Sequence, residues 1–118
     1  SRMKGQLDLA VHYIVDAIHE NPDDIQAYLD LAENHKERRE IGEALAVYKH
    51  AISLFPDDAR PYYESGLLLR ESHDYPGAET MLKRAAALSP DDIIIRRRLG
   101  AVVALNLLTN VQEEKIVV

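Results

Sequence analysis

The chain has 118 residues, 47% hydrophobic and 29% charged, which suits one compact domain or a short repeat array with a buried core. Its formal net charge of −6 argues against general nucleic-acid binding, which draws most of its affinity from a basic surface. Cysteine is absent, which excludes disulfides, iron–sulfur clusters, thiol catalysis and cysteine-based zinc sites, and no apolar run approaches the roughly 18 residues of a membrane span.

In chain order, Ser1-Arg2-Met3-Lys4-Gly5 lacks the apolar stretch of a secretory signal, and a cytoplasmic location is expected. A first helix is expected over about Gln6 to Asn21, where Leu7, Leu9, Val11, Ile14, Val15 and Ile18 are too apolar for full exposure. At Pro22-Asp23-Asp24 the chain breaks. Proline has no N–H and its ring clashes with the preceding turn, so it stops a helix. Aspartate then accepts hydrogen bonds from the free N–H groups of the next helix and complements its dipole. A helix pair follows, about Asp24 to Glu37 and Ile41 to Leu54, the second with an apolar stripe of Ala44, Leu45, Tyr48, Ala51 and Ile52. After Pro56-Asp57-Asp58 a second pair spans about Asp58 to Ser72 and Tyr75 to Leu88, with the stripe Ala78, Met81, Leu82, Ala85 and Leu88. Beyond Pro90-Asp91-Asp92 a last helix runs from near Asp91 to about Leu107. The tail, Gln112 to Val118, has three readings: the start of a truncated second helix, an apolar tail entering another copy, or a strand added to a PDZ-like edge.

The three Pro-Asp-Asp sites hold six of the 20 acidic residues, and without them acids and bases balance at 14 each. They lie 34 residues apart, and the period extends well beyond them. With Ile25, Ala59 and Ile93 as first positions, the fourth are Tyr28, Tyr62 and Arg96, and the seventh are Leu31, Ser65 and Leu99. The eighth are Ala32, Gly66 and Gly100, all small. The twentieth are Ala10, Ala44 and Ala78; the twenty-fourth are Ile14, Tyr48 and Leu82; the twenty-seventh are Ala17, Ala51 and Ala85. Small residues at Gly66, Ala44 and Ala51 let paired helices approach closely.

This pattern, over about residues 5 to 105, resembles the tetratricopeptide repeat. Ser65, Arg96 and His35 replace a usual Leu, aromatic and Tyr, and Gln112 stands where the third unit's Ala is expected. The resemblance implies an all-α, right-handed superhelical solenoid of antiparallel helix pairs: a half-repeat over 5–22, repeats over 25–58 and 59–92, a last helix over 93–107 and a tail over 108–118. The chain thus starts mid-repeat. Either it is a piece of a longer array, with Ser1-Arg2 a cloning scar, or its first helix is a cap.

The resemblance also implies a protein-binding adaptor or scaffold, whose first helices line a concave groove through their second, fifth, ninth and twelfth positions. Here these are Gln26, Leu29, Glu33 and Lys36; Arg60, Tyr63, Leu67 and Arg70; and Ile94, Arg97, Ala101 and Ala104. Leu29, Tyr63 and Leu67 offer an apolar strip, and Arg60, Arg70 and Arg97 offer forks suited to carboxylates. The expected ligand is a peptide or protein segment with an apolar anchor and an acidic group. In the plainer reading the arginines pair with Glu33, Glu64 and Glu71 and serve solubility. Family members that clamp acidic chaperone tails carry Lys and Asn where Leu29 and Glu33 stand, so that activity is not expected.

Arg96-Arg97-Arg98 opens a helix, where the dipole disfavours cations, which makes the run either functional or a solvated face offset by Asp91 and Asp92. No His forms the i, i+4 pair with a nearby Glu that marks a helical zinc site, and His35 reads as a packed histidine. There is no Gly-rich phosphate loop and no readable catalytic constellation, so no enzyme activity, metal or cofactor is expected. The alternative to groove binding is a self-assembling structural protein, associating through its first helix and an apolar last helix that holds Ile93, Ile94, Ile95, Val102, Val103, Leu107 and Leu108.

Overall fold

A computed structural model of the chain describes residues 2–117, and the side chains of residues 2–113. Among the described residues there are six helices and no strand: α1 (Arg2–Glu20), α2 (Ile25–Glu37), α3 (Ile41–Leu54), α4 (Ala59–Glu71), α5 (Tyr75–Leu88) and α6 (Ile93–Val117). They form two compact units, one ending at Pro56 and one beginning at Asp57. In the first, α2 packs against α1 and α3; in the second, α5 packs against α4 and α6. Short turns join the helices as antiparallel hairpins, giving the all-α helical-repeat fold expected from the period.

Two local devices, each used repeatedly, set the helix ends. At the Pro-Asp-Asp sites the second aspartate is the cap. Asp24 accepts from Gln26 N–H at 3.1 Å, Asp58 from Arg60 N–H at 3.0 Å, and Asp92 from Ile94 and Ile95 N–H at 2.9 and 3.2 Å. The residue before each proline is pushed away from helical backbone, and Phe55 (φ −129°) and Ser89 (φ −134°) end α3 and α5 there. Within a hairpin, the first helix ends in a left-handed residue, Arg39 (φ 63°) or His73 (φ 64°). Glu40 N–H reaches back to His35 C=O and Asp74 N–H to Leu69 C=O, both at 2.9 Å. Arg39 and His73 N–H bond Lys36 and Arg70 C=O, completing a Schellman closure. Asp74 then opens α5 by accepting from Gly77 N–H at 3.0 Å.

The third unit lacks that second device. Leu107 and Leu108 stand 34 residues after His73 and Asp74, and neither brings the acidic residue that precedes α3 (Glu40) and α5 (Asp74). The helix continues past the expected end near Leu107, as far as Val117. The truncated-second-helix reading of the tail therefore gives way to one uninterrupted helix; Val118, which completes the Ile-Val-Val ending, lies outside the described residues. At the other end α1 begins at Arg2, ahead of Gln6, with Gly5 inside the helix and open space around it.

The repeated small residues are the floor of each hairpin. In the first unit Ala32, Ala44 and Ala51 are fully buried around Tyr48, which is 2% exposed. In the second, Ala78, Leu82 and Val102 form the core, flanked by the half-buried Tyr63, Leu69 and Leu99. Gly66 shows why size matters: a Cβ there would lie 2.8 Å from Leu82 Cγ and 3.4 Å from the Ala78 carbonyl oxygen. Polar ties fasten α1 to α2. Asn34 Nδ2 donates to Leu7 C=O at 3.3 Å, and Arg38 pairs with Asp8 and, at 3.4 Å, with Glu40. His35, at a repeat core position, is half-buried and meets Glu40 at 3.1 Å.

Candidate functional site

The expected groove residues divide between the units. On α2 of the first unit Leu29 and Lys36 are half-buried and Glu33 is exposed; Lys36 pairs with Glu33 at 3.5 Å, one turn apart. This pair leaves neither charge dedicated to a ligand, and exposed pairs of this kind contribute little to stability.

The second unit carries a cleft. It has a volume of about 270 Å³ and is lined by Ala59, Arg60 and Tyr63 of α4, by Ser89 and Asp92 of the α5–α6 connection, and by Ile94 and Ile95 of α6. The first turns of α4 and α6 thus face a common space. Tyr63 has a double role, packing on the Ala78–Leu82–Val102 core while lining the cleft. Ile94 is 51% exposed, a large apolar side chain open to solvent at the cleft wall. Three of the expected groove residues, Arg60, Tyr63 and Ile94, line this space. Leu67, Arg70, Arg97 and Ala101 lie outside its lining. Leu67 and Arg70 are half-buried on α4, and Arg97 and Ala101 are exposed on α6.

The arginines are not equivalent. Arg60 is clamped by Asp58, with Nε to Oδ1 at 3.0 Å and Nη2 to Oδ2 at 2.7 Å. That hydrogen-bonded fork holds the Asp58 carboxyl below the ordinary aspartate range, aided by the Arg60 N–H and its charge and opposed by partial burial. Arg70 and Arg97 make no ion pair among the described residues. In the basic run, Arg96 and Arg97 are exposed, whereas Arg98 is half-buried and its Nε has no hydrogen-bond partner among the described residues.

Sequence reasoning missed Ser89, Asp92 and Ile95 as cleft residues because Ser89 and Asp92 belong to the break between repeats and Ile95 to a core position. The signal available was the repeat itself, which places each break beside the first turn of the next helix. A second cleft, about 300 Å³, lies in the first unit between the start of α1 and the α2–α3 turn, with Met3, Lys4, Leu7 and Arg39 among its lining. Among the described residues no group of acidic and histidine side chains is arranged to hold a metal ion, and no helix is long and apolar enough to cross a membrane.

Hairpins built on a 34-residue period, with small residues at their contacts and exposed side chains on their first helices, define a helical-repeat protein of the interaction type. The tetratricopeptide repeat profile matches residues 4–59 and 29–93, and the chain belongs to that family, whose modules mediate protein–protein interaction. No curated protein matches it. Among solved structures, a crystal structure of MamA aligns with TM-score 0.69 at 24% identity, covering 86% of this chain and 59% of that one. The double mutant MamA RS-1 ArsTM aligns with TM-score 0.71 at 21% identity, covering 89% and 59%. A further crystal structure of MamA protein gives TM-score 0.68 at 24% identity, covering 86% and 55%. At these identities the likeness is one of fold, and the chain spans under two thirds of each of those structures.

Proposed function

We propose that this interaction module is non-catalytic and takes a peptide segment of a partner protein on its first helices, with an apolar anchor of the ligand in the α4–α6 cleft. The observation that carries this reading is the cleft itself: Tyr63 and Ile94 offer aromatic and aliphatic walls, and its volume suits one large side chain rather than a cofactor. Leu67, half-buried on α4, and Ala101, exposed on α6, are the further apolar contacts of this reading. An acidic group beside the anchor meets Arg70 or Arg97, whose guanidinium groups have no carboxylate partner among the described residues. Arg60 is the poorer acid receptor, because an incoming carboxylate must displace Asp58. In the first unit Leu29 is the corresponding apolar contact of a separate surface, on which Glu33 and Lys36 pair with each other.

The test is a synthetic peptide array in which Leu, Phe or Tyr anchors are flanked by acidic, neutral or basic residues. Wild type is expected to bind anchor-plus-acid peptides. Ile94→Glu, at an exposed position, is expected to abolish binding to all of them, and Arg97→Glu to remove the preference for acid. Equal binding by wild type and Ile94→Glu overturns the cleft assignment.

A further inference from the structure

α6 and α1 each expose half of an interface that the chain makes twice internally. In each complete hairpin the first helix meets the second at fixed repeat positions. The eighth position opposes the twenty-fourth: Gly66 lies against Leu82 so closely that a Cβ would stand 2.8 Å from its Cγ. The fourth opposes the twenty-sixth: the Tyr28 and His50 rings are 5.8 Å apart, and the Arg84 guanidinium lies 5.9 Å from the Tyr62 ring centre.

α6 is a first helix with these positions uncovered. A Cβ at Gly100, its eighth residue, would meet nothing within 4 Å beyond its own helix backbone, and Arg96, its fourth, is exposed. On the same helical face Val103 is 41% and Leu107 62% exposed. α1 is a second helix in the same situation. Ala78, Leu82 and Ala85 of α5 are fully buried, whereas their α1 counterparts Ala10 and Ile14 are only half-buried and Ala17 is exposed. The twenty-sixth position of α1 is Asp16, whose side chain is 63% exposed and pairs with the exposed His12 at 3.5 Å.

We propose that α1 of a second copy of this chain docks on α6 as the second helix of the third repeat. The register sets Ile14 of one copy over Gly100 of the other, a branched side chain over an open glycine. It sets Asp16 opposite Arg96, an acid against the arginine that replaces the aromatic found at this position in the two complete hairpins. That charge complementarity, carried by one sequence at matching repeat positions, favours a second copy over an unrelated helix. The contact is heterologous, head to tail, so each copy offers both halves. It uses residues outside the proposed peptide cleft and does not depend on that reading.

The test is sedimentation velocity of the full chain over a wide concentration range. Wild type is expected to associate reversibly. Arg96→Asp and Asp16→Arg are each expected to weaken association about tenfold or more, because each sets like charges in contact, and the double charge reversal is expected to restore it. Gly100→Leu is expected to abolish association with unchanged helicity, since open space surrounds that residue within one chain. A wild type that stays monomeric throughout overturns the proposal. So does association that survives both Gly100→Leu and Arg96→Asp, or charge reversals that fail to rescue each other.

Discussion

Two glycines at the same repeat position are expected to respond to the same substitution with opposite signs. Gly66→Ala places a methyl group 2.8 Å from Leu82 Cγ and 3.0 Å from its Cδ2. Leu82 is fully buried, so it has no solvent to retreat into, and the Ala78 backbone closes the other side. Overpacking of this kind costs about 1–3 kcal/mol, and the helical preference of alanine over glycine returns about 0.5–1 kcal/mol. The net expectation is a loss centred on about 1 kcal/mol. Gly100→Ala meets nothing within 4 Å, so only the helical preference remains and a gain of about 0.5–1 kcal/mol is expected. Urea unfolding followed by circular dichroism, at low protein concentration to keep the chain monomeric, reads both as shifts in midpoint at constant slope. A neutral or stabilising Gly66→Ala would refute the close approach of α4 and α5. A destabilising Gly100→Ala would refute the uncovered face of α6.

Arg39→Gly is expected to stabilise the first unit by about 0.5–1 kcal/mol, read in the same urea assay, because a left-handed backbone strains an L side chain and not glycine. Asn34→Ala is expected to lower stability by about 1 kcal/mol in that assay, removing the tie to the Leu7 carbonyl from a buried position. Asp58 titrates below its ordinary 3.8 in the fold, so its pairing with Arg60 stabilises above that pH and the contribution fades as pH falls through the lowered value. The stability gap between wild type and Arg60→Leu is therefore expected to be full at neutral pH and to close in strong acid, as followed by unfolding at successive pH values. Replacing Leu107-Leu108 by Gly-Asp, a residue free to take the left-handed backbone of Arg39 and His73 followed by the acid of the His73-Asp74 turn, is expected to end α6 there, seen as lost amide protection beyond residue 107.

Much of this fold is legible in the residues. α3 and α5 run from Ile41 to Leu54 and from Tyr75 to Leu88, as the sequence indicates, because both ends are marked: a turn and acidic residue before, a proline two residues after. Where the marks fail, extrapolation fails with them. The end expected near Leu107 came from the repeat length, whereas the local chemistry of Leu107-Leu108 carries no stop, and local chemistry decides whether a helix continues. Gly5 likewise gave no stop for α1. The charges were harder to read. Arg60 looks like an open cation because residues two apart on a helix do not face each other. Asp58, however, is the cap, outside the helix, and its non-helical backbone (φ −94°, ψ 124°) lets the carboxylate fold back onto the guanidinium. The apolar part of the candidate site, Tyr63 and Ile94, follows from the resemblance, which sets the fifth and second positions of first helices in the groove. The contribution of Ser89 and Asp92 depends on how one repeat turns into the next, which no single helix pattern encodes.

The most direct measurement of the peptide-binding role is an amide NMR titration of the isotope-labelled chain with the best anchor-plus-acid peptide from the array. The expected result is saturable shift changes concentrated at Tyr63, Ile94, Ile95 and Arg97, absent in Ile94→Glu. Saturable changes confined to the α1 start and the α2–α3 turn, or no saturable change with any such peptide, would contradict it.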